Sequence, residues 1–455
     1  MEKPVSIVGG GLAGSEAALS LASNGHRVKL HEMRPHVATG VHHTSDLAEL
    51  VCSNSLKSTK GDSAAGMLKR ELAELGSHLY RTALECSVPA GGALAVDRRA
   101  FSAAVTQAVE AHPLVEVVRG EVRDVPALAD GSSAVVLATG PLSSDVLAES
   151  IEALCGSESL AFYDAAAPIV MADSIDLGKV FRQSRYEDDA EAGDYLNAPF
   201  DKDEYERFVD ALLDARRVVA KEFEAADLFQ ACQPIEEIAR KGRDAPRFGP
   251  MKPVGLTDPR TGRRPWAALQ LRAEDREGQS FNLVGFQTNL AFPEQERVFR
   301  MIPGLERAEF ARFGVMHRNT FVDAPRCLDA TGRLVTDAAA TLPCPAFVAG
   351  QLSGTEGYCE AIRSGLNAAV SVHCMLEGVD VPPLPEETAF GALLRHAADP
   401  ATKDYQPMHV NFGIMKPLDE HVRNKRERYR RYAERGAEAL AAYRKALAEA
   451  GVHGA

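Results

Sequence analysis

The strongest constraint on the fold is a short run, Val5-Ser6-Ile7-Val8, followed at once by Gly9-Gly10-Gly11-Leu12-Ala13-Gly14 and then by Ser15 to Ala22, a stretch of helical composition. Strand, tight turn and helix in that order predict the start of an α/β nucleotide-binding unit. Gly9 permits the turn, Gly11 lets the backbone approach a pyrophosphate, and Gly14 lets the helix lie close on the strand, so that an anion meets the helix N-terminus. A second strand, Arg27 to His31, runs into Glu32, about where an acid accepts ribose hydroxyls. A lone G-x-G-x-x-G says little, but one with its strand, helix and terminal acid in register is strong evidence.

Two later runs separate FAD from NAD(P). Ser133 to Gly140 reads as a buried strand ending Ala138-Thr139-Gly140, and Pro345 to Gln351 as another ending Ala349-Gly350-Gln351. Both resemble the later FAD motifs of glutathione-reductase-like flavoproteins. Many of those end in Gly-Asp; here Gln351 brings an amide in place of the charge. No second complete glycine fingerprint follows mid-chain, so no separate nicotinamide domain is expected, and any reductant visits the flavin transiently. The FAD motifs flank a long middle segment. We therefore expect a discontinuous, Rossmann-like FAD domain (1–165 and 326–455) with an inserted α/β domain (166–325). Periodicity predicts helices over Asp62–Leu84, Asp203–Ala220, Ala361–Leu376 and Leu418–Ala450, and strands over Trp266–Leu271 and Phe281–Phe286.

The 455 residues suit such a multi-part chain, and 45% hydrophobic with 25% charged residues is ordinary globular composition. No stretch approaches the roughly 18 apolar residues of a membrane span. The glycine motif begins too close to Met1 for a signal peptide. A cytoplasmic protein without membrane contact is expected, with a monomer favoured. None of the eight cysteines falls in a C-x-x-C pair, which argues against zinc, iron–sulfur and thioredoxin-type sites, so no metal is expected. The net charge of −13 excludes a surface that is basic throughout, but not a local basic footprint. Arg240–Arg264 carries eight basic residues and Arg423–Arg431 carries six.

Two isolated cysteines stand in polar, turn-like surroundings: Leu50-Val51-Cys52-Ser53-Asn54-Ser55 and Phe229-Gln230-Ala231-Cys232-Gln233-Pro234-Ile235-Glu236. With the glycine motif, Val88 to Arg98, Gly249 to Leu256 and Gly350 to Tyr358, these runs closely resemble the bacterial folate- and FAD-dependent tRNA (uracil-5-)-methyltransferase family, TrmFO. The resemblance implies conversion of a T-loop uridine of tRNA to ribothymidine, with 5,10-methylenetetrahydrofolate as carbon donor and NADH or NADPH as reductant through FAD. The chemistry explains the thiols. Uracil C5 is not nucleophilic until something adds at C6, a thiolate suits that addition, and a base must then take the C5 proton.

By the resemblance, Cys232 is the nucleophile and Cys52 the general base or flavin-proximal thiol, with the reverse division left open. Lys241, Arg240 and Arg243 follow Cys232 closely enough to stabilise a thiolate if they face it. The remaining cysteines, Cys86, Cys155, Cys327, Cys344, Cys359 and Cys374, read as buried small hydrophobes. Expected FAD contacts are Gly9, Gly10, Gly11, Leu12, Ala13, Gly14, Glu32, Ala138, Gly140, Gly350, Gln351 and Glu356. Glu356 and Tyr358 are placed beside the ring system. His42, His43 and Lys252 are secondary candidates for flavin, folate or phosphate, each with a structural alternative. Phe412, Tyr429 and Tyr432 read as packing rather than as base-stacking residues. The competing functions are the same chemistry on ribosomal RNA, a generic FAD oxidoreductase, and a flavin- and folate-binding regulatory module.

Overall fold

The computed structural model describes residues 3–37, 39, 41–156, 160–185, 193–218, 233–402 and 405–452, with only the backbone described for 160–165 and 316–318. Strand β1 (Val5–Val8) is buried along its whole length and leads through the glycine turn into helix α1 (Leu12–Ser23). With β2 (Val28–Glu32), β3 (Val115–Arg119), β4 (Ala134–Leu137) and β5 (Ala346–Val348), it forms a five-stranded parallel sheet in the order β5-β4-β1-β2-β3. Val8 pairs with His31 on one side and Leu137 on the other, so the ends of β1, β2 and β4 open at one edge of the sheet. That is where parallel α/β sheets bind ligands. Ala346 lies some 200 residues after its partner strand, so the sheet is completed only when the chain returns from the long middle segment.

Helix α2 (Tyr358–Glu377) lies across α1. A Cβ at Gly365 would sit 2.1 Å from the Ala13 carbonyl oxygen, and only a residue without one allows so close a crossing. The middle segment builds its own antiparallel sheet of six strands, in the order 181–182, 195–200, 267–273, 280–283, 169–171, 310–312. Helix Lys202–Asp214, started by a capping box between Asp201 and Glu204, buries Tyr205, Phe208 and Val209 against this sheet. An antiparallel pair, 160–165 with 316–321, joins the outgoing and returning chain.

Four helical expectations need correction. The stretch Asp62–Leu84 is two helices, Ala64–Glu74 and His78–Glu85, because Gly76 takes a φ of +68° and Ser77 caps the second one. The helix expected to reach Ala220 stops at Asp214, with Ala215 already extended and 219–220 outside the described residues. The C-terminal helix, α3 (Lys425–Glu449), starts later than Leu418, where the Asn424 side chain accepts the Glu427 N–H. Helix α2 begins three residues before the expected Ala361.

Candidate active site

The open edge of the parallel sheet borders a cavity of about 310 Å³. Of the expected FAD contacts, Gly9, Gly11, Leu12, Ala13, Glu32, Ala138, Gly140, Gly350, Gln351 and Glu356 line it. Gly10 and Gly14 do not, and each has a different reason for lacking a side chain. A Cβ at Gly10 would meet Leu47 at 2.4 Å and a Glu32 carboxylate oxygen at 2.9 Å, and one at Gly14 would meet the Gly9 carbonyl oxygen at 1.9 Å. Gly11 is the opposite case, because a Cβ there would meet nothing within 4 Å. The space over Gly11, at the start of α1, is thus a cradle into which the backbone N–H groups of a helix N-terminus open.

Glu32 accepts the Gly10 N–H at 2.9 Å and the Arg34 Nε at 2.9 Å. Burial opposes its ionisation, but the Arg34 guanidinium and the Gly10 N–H outweigh that and hold the carboxyl below its usual range. An ionised, oriented carboxylate suits hydroxyl donors such as those of a ribose. Two buried polar groups on the lining have no partner among the described residues: His31 Nε2, and both amide atoms of Asn319. Orphaned polar atoms facing a cavity call for a polar ligand. The cradle, the carboxylate and these orphans fit a dinucleotide.

Cys52 lies on the same cavity, in a loop held from three directions. The Tyr358 hydroxyl accepts the backbone N–H of Cys52 at 2.9 Å and of Ser53 at 3.1 Å. Arg312 donates to the carbonyls of Val51 at 3.1 Å and Cys52 at 3.0 Å. Arg98 donates to the Leu50 carbonyl and pairs with Glu274 at 2.8 Å. One residue on, fully buried Asn54 donates to the carbonyls of Val96 and Ala273 and accepts the Arg272 Nε at 2.8 Å. Arg272, Glu274 and Arg312 belong to the middle segment, so that segment does pack against the Cys52 loop. Burial pushes the Tyr358 phenol up, so it keeps its proton. Lys57, also on the cavity, adopts a φ of +67° and pairs with buried Glu360 at 3.3 Å. That conformation costs a non-glycine residue about 1–2 kcal/mol.

Cys232 lies outside the described residues. The chain just after it is firmly set: the Ile235 N–H donates to the Gln287 carbonyl at 2.7 Å, and the buried Glu236 carboxylate accepts the Asn289 N–H at 2.6 Å and the Thr288 hydroxyl at 2.9 Å. Of the three cations expected near that thiol, Arg243 pairs with Asp210 at 2.5 Å and Arg240 with Glu237 at 3.6 Å. Lys241 alone of the three turns back toward the thiol's neighbour, donating to Gln233 Oε1 at 2.6 Å.

Gln351 and Glu356 are bonded to each other through the amide Nε2 and a carboxylate oxygen. His42 lines the cavity bonded to Thr39 at 2.6 Å, and burial, then the nearby Arg34, lowers its pKa to about 4, so the ring is neutral. His43 is exposed and off the cavity; Lys252 is half-buried and also off it, and its carbonyl accepts a bond from Arg185. The six cysteines expected to be buried are buried. In α3, Arg430 and Arg431 pair with Glu427, and Phe412 stacks on Tyr429 and Tyr432 at 4.0 and 5.5 Å, which is packing.

Sequence reasoning missed Arg34, Lys57, Arg98, Arg272, Arg312 and Asn319 as builders of the site. Arg98 closes one of the family motifs, and Arg272 brings a charge into a buried strand whose only other polar residue is Gln270, a signal that it has a buried partner. Nothing local marks Arg312 or Asn319.

Residues 4–380 match the family described as glucose inhibited division protein A. The fold is similar to that of Aquifex aeolicus GidA in its form II crystal, with a TM-score of 0.71 at 16% identity, covering 99% of this chain and 74% of that one. The form I crystal gives 0.68 over 97% of this chain and 76% of the other, at 16% identity. Fold and site together therefore define an FAD-binding α/β protein of the GidA class. A Geobacter sulfurreducens protein named methylenetetrahydrofolate–tRNA-(uracil-5-)-methyltransferase TrmFO is 53% identical, covering 96% of this chain and 97% of its own length. Its namesake from Symbiobacterium thermophilum is 51% identical, covering 97% of each. The chain belongs to the TrmFO family.

Proposed function

We propose that this enzyme methylates C5 of a T-loop uridine in tRNA, taking the carbon from 5,10-methylenetetrahydrofolate and the electrons from NADH or NADPH through FAD. The observation that carries this reading is that one cavity is lined both by the open glycine turn and by a thiol whose loop is held from three directions. Bound FAD supplies the relay of the one-carbon unit and of the electrons. Gly9, Gly11, Leu12, Ala13 and the α1 N-terminus, with Gly10 and Gly14 shaping the turn, hold its pyrophosphate, Glu32 a ribose, and Ala138, Gly140, Gly350, Gln351 and Glu356 the rest of the chain and ring system. Residues 1–165 and 326–455 form the two parts of the FAD domain and 166–325 the inserted domain. The enzyme works in the cytoplasm as a single chain; among the described residues, no helix is long and apolar enough to cross a membrane.

The thiolate of Cys232 adds to uracil C6, which makes C5 nucleophilic. After the carbon is attached, Cys52 takes the C5 proton; the electrons that bound FAD would supply reduce the attached carbon to a methyl group, and expulsion of the Cys232 thiolate restores the ring. Tyr358, Arg98 and Arg312 fix the backbone of Cys52 so that its sulfur faces the substrate without reorganisation. The tRNA backbone lies on the 240–264 run rather than on α3. Arg263 and Arg264 are exposed and have no ion pair among the described residues, whereas Arg430 and Arg431 are already neutralised. The test is to incubate the holoenzyme with NADPH, labelled methylenetetrahydrofolate and either tRNA lacking ribothymidine or ribosomal RNA. Label at C5 of the T-loop uridine is the expected result. Label in ribosomal RNA alone, or in no RNA, overturns the reading.

A further inference from the structure

Behind the parallel sheet, away from the Cys52 loop, a second cavity of about 240 Å³ lies between α1, α2 and α3. Its walls are mainly apolar, with Leu75, Leu366, Val370 and Leu447 all buried around it. Two cations line it, Arg81, which is exposed, and Arg363, which is buried. Arg363, on α2, is 1% exposed, and its Nε and Nη2 have no hydrogen-bond partner among the described residues. The phenol of Tyr443, from α3, lies beside the same guanidinium and also lines the cavity.

A buried guanidinium normally has its donors satisfied by a carboxylate in a two-pronged pair. Here the nearest carboxylate, Glu71, stands 3.8 Å from Nε and is already occupied: it accepts the N–H groups of Ala389 at 2.6 Å and Phe390 at 3.3 Å at the start of the next helix. Burial raises the Glu71 carboxyl to about 7 despite Arg363, so this anion is itself only partly charged near neutrality. The Phe390 ring, 4.8 Å from the guanidinium carbon, covers one side of the cation but accepts none of its N–H groups. The guanidinium is thus desolvated, incompletely paired and placed on a chamber whose lining surface is mostly apolar.

We infer that this chamber is a binding site for a small monocarboxylate with an apolar tail, its carboxylate on Arg363 and Tyr443 and its tail among Leu75, Leu366, Val370 and Leu447. The same helix α2 begins at Tyr358, so an occupant stiffens the element that positions the thiol loop.

The site is tested on the FAD-loaded enzyme by thermal shift and calorimetry with octanoate, its uncharged analogue octanamide, and inorganic phosphate. Octanoate is expected to raise the melting temperature in a saturable way, with octanamide and phosphate at least tenfold weaker. Arg363→Gln is expected to abolish the octanoate shift. Because that variant also removes a partner of Glu71 and can fail to fold, Leu447→Trp, which fills the chamber and keeps the cation, is the second arm and is likewise expected to abolish it. Equal shifts from octanoate and octanamide overturn the carboxylate assignment. An octanoate shift that survives Leu447→Trp overturns the site, as does phosphate binding as tightly as octanoate.

Discussion

The two functional walls of the cavity are built by opposite means. The glycine-turn wall is made of backbone, and its constraints are mostly local, Gly14 against Gly9 and Gly10 against a carboxylate 22 positions on, with Gly9 also set against the carbonyl of Ala138 on the neighbouring strand's end. The Cys52 wall is a loop with no regular structure of its own, held by side chains 306, 261 and 48 positions away. A turn of the first kind forms with its own strand and helix. A loop of the second kind takes its shape only once the whole chain has folded, including the middle segment. The teaching is that cofactor binding and chemistry in this enzyme have separable structural supports, so that a protein can be yellow and inactive.

The largest effect tests that separation directly. Cys52→Ala is expected to lower methyl transfer on the order of 10³-fold, the scale of a lost acid–base group, while the purified protein keeps its flavin absorbance. Activity within tenfold of wild type would remove Cys52 from the chemistry; loss of flavin would mean the two walls are not separable.

Within the glycine wall, two neighbouring glycines are expected to fail differently. Gly14→Ala forces a Cβ to within 1.9 Å of a carbonyl oxygen and should destabilise the fold by about 3 kcal/mol. Gly11→Ala meets no protein atom, and its φ of −75° suits alanine, so the apoprotein should melt as wild type does. Its FAD affinity should nevertheless fall at least tenfold, or about 1.4 kcal/mol, because the methyl group occupies the cradle. Equal FAD affinity in Gly11→Ala would show that the pyrophosphate lies elsewhere.

On the thiol wall, Tyr358→Phe removes the acceptor of two N–H groups, a loss of about 1–3 kcal/mol if they stay unpaired. We expect kcat to drop ten- to a hundredfold with FAD content and substrate KM nearly unchanged. A fall in KM-dependent terms alone would make Tyr358 a ring-contacting residue instead of a positioning one.

The same contrast explains what the sequence made legible. Strand, turn, helix and terminal acid occupy the first 32 residues, so their spacing alone points to the turn and the acid, and Gly9, Gly11, Leu12, Ala13 and Glu32 line the cavity while Gly10 and Gly14 do not. Ala138, Gly140, Gly350 and Gln351 were legible because they follow within three residues the ends of two buried strands, and strand ends define the open edge of the sheet. Cys52 stood out only through its family motif, and the residues that hold it did not stand out at all. Arg312 sits on a short edge strand, and its meaning exists only across a separation of 261 positions. Secondary structure failed where a local signal overrode a periodic one, as Gly76 and Ser77 did in splitting an apparently continuous apolar stripe.

Arg272 offers the mildest and most discriminating break. It touches no predicted ligand contact; its Nε bonds Asn54 Oδ1, two residues from the thiol, from a strand of the middle segment. Arg272→Met keeps the aliphatic length of the side chain within a buried strand but leaves the buried Oδ1 without that donor, for about 1 kcal/mol. Asn54 still donates to Val96 and Ala273, so the loop should shift without detaching. The expected result is a roughly fivefold lower kcat, unchanged FAD binding and a normal melting temperature within a few degrees. If FAD affinity falls in step with kcat, the middle segment supports both walls and the separation fails. If neither changes, Arg312, Arg98 and Tyr358 suffice to hold the thiol, and the middle segment acts on it through Arg312.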